Sequence, residues 1–288
     1  MGAQDPAGCA ASAPRAGSPA SRRVLTVTRP FFERPTWRSV RRILREADRT
    51  VLIALDLDGT IAPFARRPDL ARVPERTLRS LARGAEARAV RIAILSARPL
   101  TDMRRMVPVR NVLLIGQYGL EGPLGPPTQL LKRLRRGCAR VARALRPLVA
   151  SVRGALLEVK GLTVAVHDRN VRDARRLREL RRGLKAVASM EARSHGFVPV
   201  PGRHVVDFVP RGHDKGRALR ALRAKLKPGC VFCFGDSLGD EPAFAVLGRR
   251  DFPVRVGRVG TRARYRVATL TGVTRFLDAV AACRAGSA

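Results

Sequence analysis

Short apolar runs and amphipathic segments alternate along the first and last parts of the chain. The runs are rich in Val, Ile and Leu, which is typical of strands buried on both faces of a sheet. They occupy residues 51–56, 90–96, 111–116, 230–236 and 253–257. Segments with apolar residues at helical spacing lie before, between and after them, at 35–48, 74–88, from Thr101, at 214–226 and from Thr271. This alternation predicts a parallel sheet with helices on both faces.

The middle of the chain follows a different rhythm. An Arg-rich helix is predicted at 129–150, then two strands around Gly161, a helix at 171–190 and a second strand pair that turns at Pro201 and Gly202. Helix, hairpin, helix, hairpin predicts a small α+β unit with its own antiparallel sheet. The predicted fold class is therefore α/β, a Rossmann-like parallel-sheet core with an inserted α+β cap, and such an insertion commonly serves as a lid.

These patterns divide the chain into three parts. We expect residues 1–34, rich in Ala, Ser, Gly and Pro at their start, to be a disordered tail. Residues 35–127 and 211–288 are predicted to form the core with its leading helix, and residues 128–210 the inserted cap. Because the tail contains Arg and Ser and is poor in acidic residues, an organelle transit peptide is an alternative interpretation of it.

The net charge of +34 changes the list of possible partners. Such a charge suggests nucleic acid or an anionic membrane. However, the arginines are spread along the chain at helix-surface spacing, and few aromatic residues are interleaved for base stacking. We therefore interpret them as solvated helix faces, expect no specific nucleic acid and no membrane, and expect the charge to attract anionic substrates.

Cysteine usage and hydropathy favour a cytoplasmic protein. The chain has five cysteines, an odd number, and no apolar run of membrane-spanning length. Its N-terminus lacks the apolar middle of a signal peptide, so a disulfide framework is not expected. Cys230 and Cys233 form a CxxC, but they lie within an apolar run and no second pair completes a zinc site. We interpret them as buried strand thiols.

Polar side chains follow three of the predicted strands and begin one helix. They are Asp56 and Asp58, Ser96, Asp236 and Asp240, and Lys215. Ligands of open parallel sheets bind beyond the carboxyl ends of the strands, so these groups are expected to meet. Several carboxylates at one edge require a cation, and oxygen ligands alone indicate Mg²⁺.

This set also predicts a reaction. A phosphate fits between the Mg²⁺, the Ser96 hydroxyl, the Lys215 ammonium and the free amides of the turn after Asp56. Aspartate is a nucleophile towards phosphorus, which gives an aspartyl-phosphate intermediate. With Asp56 attacking, Asp58 is free to protonate the leaving oxygen and then to activate water.

Four of these features resemble the ordered motifs of the haloacid dehalogenase superfamily of phosphatases: DLDGT, the strand end at Ser96, the isolated Lys215 and GDSLGDE. From Val51 to Ala282 the chain more narrowly resembles the trehalose-6-phosphate phosphatase family. The segments that carry this resemblance are ILSARPL, IGQYGLEG, LLEVKGLTVAVHDR, VDFVPRGHDKGRAL and CFGDSLGDEPAF. The chain departs from the family pattern at Ala97, Gln117, Tyr118 and Asp207.

The resemblance implies roles for individual residues. In the core it implies Asp56 as nucleophile and Mg²⁺ ligand, and Asp58 as general acid/base that also binds the metal through its carbonyl. It implies that Ser96 and Lys215 hold the phosphate. It implies Asp236 as a Mg²⁺ ligand and Asp240 as a support of the metal site. Towards the sugar it implies Arg98, Gln117, Glu158, Lys160, His167, Arg169 and Asp207. The departures at Gln117, Tyr118 and Asp207 concern the choice of sugar rather than the phosphatase chemistry.

The expected function is Mg²⁺-dependent hydrolysis of trehalose 6-phosphate through an aspartyl-phosphate intermediate, with a phosphorylated disaccharide as substrate. A trehalose-phosphate synthase is a candidate partner protein. The alternatives are the same chemistry on sucrose phosphate or a glycosyl-phosphoglycerate, or a basic nucleic-acid-binding protein with a secondary phosphatase core. A phosphatase-like regulator without turnover is a further alternative, against which the complete catalytic set argues.

Overall fold

Two separate β-sheets organise the protein in the computed structural model, which describes residues 28–46, 48–194 and 196–285. The strands are β1 (Arg29–Pro30), β2 (Val51–Leu55), β3 (Val90–Leu95), β4 (Val112–Ile115), β5 (Leu156–Val159), β6 (Val164–His167), β7 (Phe197–Gly202), β8 (Val205–Pro210), β9 (Cys230–Gly235), β10 (Phe252–Val256) and β11 (Tyr265–Val267). The helices are α1 (Arg34–Arg45), α2 (Glu75–Glu86), α3 (Leu100–Met106), α4 (Thr128–Ala150), α5 (Ala174–Ser194), α6 (Lys215–Leu226), α7 (Glu241–Ala245) and α8 (Leu270–Ala285).

The larger sheet has seven strands in the order β1-β11-β10-β9-β2-β3-β4, and its pairings are parallel. Strand β2 lies near its centre, and all five of its residues are buried. Val51, Ile53 and Leu55 pack into one apolar cluster, whereas Leu52 and Ala54 pack into a second cluster on the opposite face. This period-two alternation between two cores confirms the predicted parallel sheet with both faces covered.

The edge strand β1 and its neighbour β11 were not predicted from the sequence. β1 pairs with β11, and Phe31 behind it is fully buried among the rings of Phe234 and Phe276, each 5.5 Å away between centroids. The expected disordered tail was therefore too long, because residues 28–34 belong to the folded core. A strand of two residues carries no periodicity, and only its distant partner stabilises it. Residues 1–27 of the expected tail lie outside the described residues.

The smaller sheet has the order β5-β6-β8-β7 and is antiparallel. Val164, Val166 and Phe208 on one of its faces pack against α4 and α5 through side chains such as Leu145 and Leu184. The opposite face carries polar residues. This arrangement confirms the α+β insertion in the parallel-sheet core, and the elements α4 to β8 lie within residues 128–210, which we propose as the boundaries of the cap.

Smaller differences concern element ends. α5 begins at Ala174 rather than 171, and Arg169 lies in the turn after β6 instead of on the strand. Cys230 and Cys233 are buried in β9, as predicted, and burial raises the pKa of the Cys230 thiol to about 12. Within the described ranges, none of the helices has both the length and the apolar character needed to cross a membrane.

Candidate active site

The carboxyl ends of three neighbouring strands bring the predicted reactive residues together. Asp56 follows β2, Ser96 follows β3 and Asp236 follows β9, while Lys215 is the first residue of α6. They line a cavity between the core and the cap, which we call the active-site cavity, and Asp58 lines it too. Parallel strands deliver their next residues to one edge of the sheet, which explains why side chains up to 180 positions apart meet.

Lys215 is the electrostatic centre of this group. Its ammonium donates hydrogen bonds to Asp56 Oδ1 at 2.5 Å and to Asp240 Oδ1 at 2.7 Å, and all three residues are buried. Burial lowers the pKa of Lys215, but the charges and hydrogen bonds of Asp240 and Asp56 raise it by more, so the ammonium stays protonated. Burial raises the pKa of Asp56, and the charge of Lys215 only partly offsets this effect.

The acidic residues of this group fit a divalent cation. Carboxylate oxygens of Asp56, Asp236 and Asp240 lie within 4.8 Å of one another, and Asp236 Oδ1 is buried without a hydrogen-bond partner among the described residues. Lys215 contacts two of these three carboxyl groups, so the acids of the cluster outnumber the ammonium that it provides. Burial and the neighbouring Asp240 raise the pKa of Asp236 to about 6. A hard cation such as Mg²⁺ prefers oxygen ligands of this kind.

Asp240 differs from the other two acids in how it is held. Its Oδ2 accepts hydrogen bonds from the backbone N–H of Ser237 at 2.9 Å and from the Ser237 hydroxyl at 2.8 Å, while its Oδ1 accepts from Lys215. This places Asp240 in a supporting position. Asp56 and the unpartnered oxygen of Asp236 are the more available ligands.

Gly59 permits the close approach of these groups. Its φ of +84° lies in the left-handed region, and a Cβ at this position would lie 2.4 Å from Asp236 Oδ2 and 2.7 Å from the ring of Phe64. A side chain at residue 59 would therefore push directly into the proposed metal site.

Asp58 is held by Arg98 rather than by the acidic cluster. The guanidinium of Arg98 donates to both Asp58 oxygens, at 2.6 and 2.8 Å, and also to the carbonyl of Pro68 at 2.8 Å. Arg98 was predicted to contact the sugar. It lines the cavity, but its donors are largely used by the core, so its position favours a role in orienting Asp58.

The polar face of the cap sheet forms the opposite wall of the cavity. Glu158, Lys160, His167 and Asp207 all line it, and their contact with a sugar stays a prediction. Lys160 donates to Asp207 at 2.8 Å, and the Tyr118 hydroxyl donates to the other oxygen of Asp207 at 3.0 Å. His167 Nε2 lies 2.7 Å from Glu158 Oε2. The wall therefore presents connected donors and acceptors instead of isolated charges.

These contacts also set the protonation of the cap residues. Burial lowers the pKa of Lys160, but Asp207 and Glu158 raise it by more. Burial raises the pKa of Glu158, but His167 and Lys160 together lower it below its ordinary value. The contacts of the cap wall therefore favour the charged form of Lys160 and the charged form of Glu158.

Gln117 is the predicted sugar contact that the structure places elsewhere. Its buried amide donates to the carbonyl of Lys160 at 2.8 Å, and its oxygen accepts from the N–H and hydroxyl of Thr163, at 3.0 and 2.9 Å. It is absent from the cavity wall. Gln117 joins the core to the β5–β6 hairpin of the cap, and its φ of +45° directs it there.

Arg169 lies at the mouth of the cavity. Its guanidinium donates to the carbonyl of Ala65 at 2.6 Å, which connects the cap to the loop that follows β2. The side chain thus reaches the predicted cavity, but one of its donors is used by the core.

Further residues of the wall include Phe64, Arg203 and His204, to which the sequence assigned no role, and Tyr118, which the sequence marked only as a departure from the family pattern. His204 has a φ of +59°, and its Nδ1 lies 3.4 Å from Asp168 Oδ1. The only feature of the sequence that could have indicated Phe64 is its position four residues after Thr60 of the DLDGT motif. Arg203 and His204 lie in the turn between β7 and β8, and no sequence pattern shows which way a turn points.

Comparisons with known proteins agree with this geometry. A family model described as trehalose-phosphatase matches residues 54–269. A trehalose-6-phosphate phosphatase from Escherichia coli (strain K12) is 30% identical over 233 residues, which cover 78% of this chain and 84% of that protein. The solved C-terminal domain of the C. albicans trehalose-6-phosphate phosphatase superposes with a TM-score of 0.74 at 19% identity, covering 88% of this chain and 98% of that domain. At that identity the superposition supports the fold alone.

Relatives of very different size share this unit. An uncharacterized glycosyl hydrolase of Mycobacterium tuberculosis (strain ATCC 25618 / H37Rv) is 32% identical over 208 residues. The match covers 67% of this chain but 15% of that relative, so the chain spans only a small part of its length.

Proposed function

Because this chain belongs to the trehalose-phosphatase family, we propose that it hydrolyses trehalose 6-phosphate to trehalose and phosphate. The observation that carries the proposal is the buried Lys215 between Asp56 and Asp240, which faces a cavity whose opposite wall is the polar face of the cap. The first feature suits a phosphoryl group, and the second suits a molecule rich in hydroxyl groups.

In the proposed reaction the Asp56 carboxylate attacks phosphorus. A bond forms between the Asp56 oxygen and phosphorus as the bond from phosphorus to the sugar oxygen breaks. Asp58 gives its proton to that leaving oxygen, and it later accepts a proton from the water that cleaves the aspartyl phosphate and restores Asp56. Arg98 uses one lone pair on each oxygen of Asp58, so a remaining lone pair carries the proton, and the ion pair with Arg98 weakens while Asp58 is protonated.

Charge neutralisation supports this reaction. Lys215 and Ser96 line the cavity, and in this proposal the ammonium and the hydroxyl hold the phosphoryl oxygens. Mg²⁺, held by Asp56 and Asp236 with Asp240 in support, would supply further positive charge against the phosphoryl group. Phosphoryl transfer depends mainly on such positioning and electrostatic stabilisation.

The cap is proposed to select the sugar. Glu158 and His167 form one hydrogen-bonded pair, and Lys160 and Asp207 form another, so the wall offers both donors and acceptors. A site built from buried polar groups rejects a ligand that leaves those groups unpaired. Other sugar phosphates remain the alternative substrates, and the cytoplasmic location and the synthase partner stay predictions.

Trapping the intermediate tests this proposal. Enzyme mixed with trehalose 6-phosphate and Mg²⁺ is quenched in acid and treated with borohydride, which reduces an acyl phosphate to an alcohol. Peptide mass spectrometry should then find homoserine in place of Asp56, and the Asp56→Asn protein should show none. Reduction at another acidic residue would overturn the nucleophile assignment, and turnover without reduction at any acid would overturn the covalent route.

A further inference from the structure

Phe64 is an exposed aromatic residue at the mouth of the active-site cavity. It lies in the loop after β2, its relative exposure is 36%, and it belongs to none of the buried apolar clusters formed by the described residues. Core packing therefore does not explain a ring at this position. Because the ring lines the active-site cavity, its contacts there are the ones that bear on function.

Two arginines of the cap lie against this ring. The guanidinium carbon of Arg169 is 5.4 Å from the ring centroid of Phe64, and that of Arg203 is 5.3 Å away. Both distances are within the range of cation–π attraction, about 6 Å. One aromatic ring of the core thus holds two positive side chains from two different turns of the cap.

The two arginines differ in their other contacts. Arg169 is also bound through its hydrogen bond to the carbonyl of Ala65. Within the described part of the chain, the Arg203 guanidinium contacts the Phe64 ring, and the side chain lines the cavity. The ring is therefore what sets the direction of the Arg203 guanidinium, whose donors stay available to a ligand.

Phe64 also reaches the reaction centre. The para carbon of its ring lies 2.7 Å from where a Cβ of Gly59 would be, and the same Cβ would lie 2.4 Å from Asp236 Oδ2. The ring therefore extends from the turn that carries Asp58 to the arginines of the cap. It occupies the gap between the phosphate side and the sugar side of the cavity.

We propose that Phe64 is a positioning residue that holds Arg169 and Arg203 over the mouth of the cavity, so that both guanidinium groups face a phosphorylated sugar bound below them. Aromatic attraction keeps two like charges close together without a carboxylate partner, which leaves the donors of Arg203, and those of Arg169 that Ala65 does not use, for the substrate's oxygens. This inference rests on the proposed function for the nature of the substrate.

A double-mutant cycle tests the proposal. Leucine is the replacement for Phe64, since it keeps an apolar side chain without a π face, whereas a tyrosine hydroxyl would point at Gly59. We expect Phe64→Leu to lower kcat/KM for trehalose 6-phosphate about tenfold, equal to about 1.4 kcal/mol, mainly through KM. Arg203→Met should have a similar effect, and the double variant should be no worse than the poorer single variant, because both changes remove one interaction.

Two controls accompany the cycle. Phe32→Leu removes the same kind of ring, which lies 4.4 Å from the Arg275 guanidinium, and neither of these two residues lines the cavity. It should leave kcat/KM unchanged and combine additively with Arg203→Met. Fully additive effects of Phe64→Leu and Arg203→Met, or wild-type kinetics of Phe64→Leu, would overturn the proposal.

Hydrogen exchange separates failure of this inference from failure of the proposed function. In the substrate-free protein, Phe64→Leu should speed amide exchange in the turns at 168–171 and 202–205, whereas Phe32→Leu should not. If the wild-type protein proved inactive on trehalose 6-phosphate, the proposed function would fail, and this exchange result would still decide the role of the ring. Unchanged exchange in both turns would contradict it.

Discussion

The ion pair between Lys160 and Asp207 stabilises the cap beneath its sugar-facing surface. Each side chain is only 6% exposed, and the two charged groups are 2.8 Å apart. We predict that Lys160→Met lowers both stability and activity, because it leaves the Asp207 carboxylate buried with Tyr118 as its remaining hydrogen-bond donor. Breaking a buried pair by removing one partner costs about 3–5 kcal/mol.

The double variant Lys160→Met/Asp207→Asn tests whether the lost stability comes from the unpaired charge of Asp207 or from the changed shape of the side chain at 160. An asparagine at 207 still accepts the Tyr118 hydrogen bond, and it carries no charge that needs a partner. Replacing both members of a buried pair is often close to neutral, so most of the lost stability should return. Activity should not return, because the cavity has lost an ammonium group whichever residue stands at 207.

Calorimetry and kinetics together check this prediction. At about 2 °C per kcal/mol for a chain of this size, Lys160→Met should lower Tm by roughly 6–10 °C, and the double variant should recover most of that. Both variants should show strongly reduced kcat/KM for trehalose 6-phosphate. A Tm for Lys160→Met within about 1 °C of wild type would refute the reasoning, since it would mean that Asp207 is not buried and unpaired in that variant.

Three further changes address the rest of the site. Gln117→Ala leaves the buried Thr163 donors without a partner, which costs about 1–3 kcal/mol, so Tm should fall by roughly 2–6 °C. Hydrogen exchange of the 160–163 amides should also become faster. Amide protection equal to that of the wild type would contradict the role of Gln117 as an anchor. Gly59→Ala places a Cβ against the carboxylate of Asp236. We expect kcat to drop about 100-fold or more, and we expect Mg²⁺ no longer to stabilise the protein. A near-normal kcat would show that the loop accommodates the change. Burial raises the pKa of Asp236 from its ordinary 3.8 to about 6, so the folded protein keeps a proton there that the unfolded chain has lost. The metal-free protein should therefore lose stability as pH rises from about 4 to about 6, and Mg²⁺ should raise Tm strongly at about pH 8 but little at about pH 5. Equal Mg²⁺ shifts of Tm at both pH values would argue against Asp236 as a ligand.

The central sheet could be predicted because its signal is local. Each buried strand is a run of apolar residues, and the polar residue that ends it, such as Asp56 or Ser96, marks the edge where ligands bind. The cap hairpins were visible for the same reason, since Val164 and Val166 alternate with residues of the polar face. The edge strand β1 was not visible, because it has two residues and depends on a partner more than 230 positions away.

The contacts made by the side chains within the site could not be predicted, because they depend on the directions in which turns point, and a sequence does not show these directions. Gln117 and Tyr118 are adjacent and both have positive φ, yet one binds the cap hairpin and the other binds Asp207. Arg98 was predicted to contact the sugar, but it pairs with Asp58 because the turn after β3 points towards the turn after β2. Phe64 gained its place only when folding brought two cap arginines to its ring.

Phosphate release with Mg²⁺ from a panel of trehalose 6-phosphate, sucrose 6-phosphate and glucose 6-phosphate tests the central claim most directly, beside an Asp56→Asn control. We predict a strong preference for trehalose 6-phosphate that disappears in the control. Equal turnover of all three sugar phosphates would contradict the cap's role in selecting the sugar. Activity that survives Asp56→Asn would contradict the assignment of Asp56 as the nucleophile.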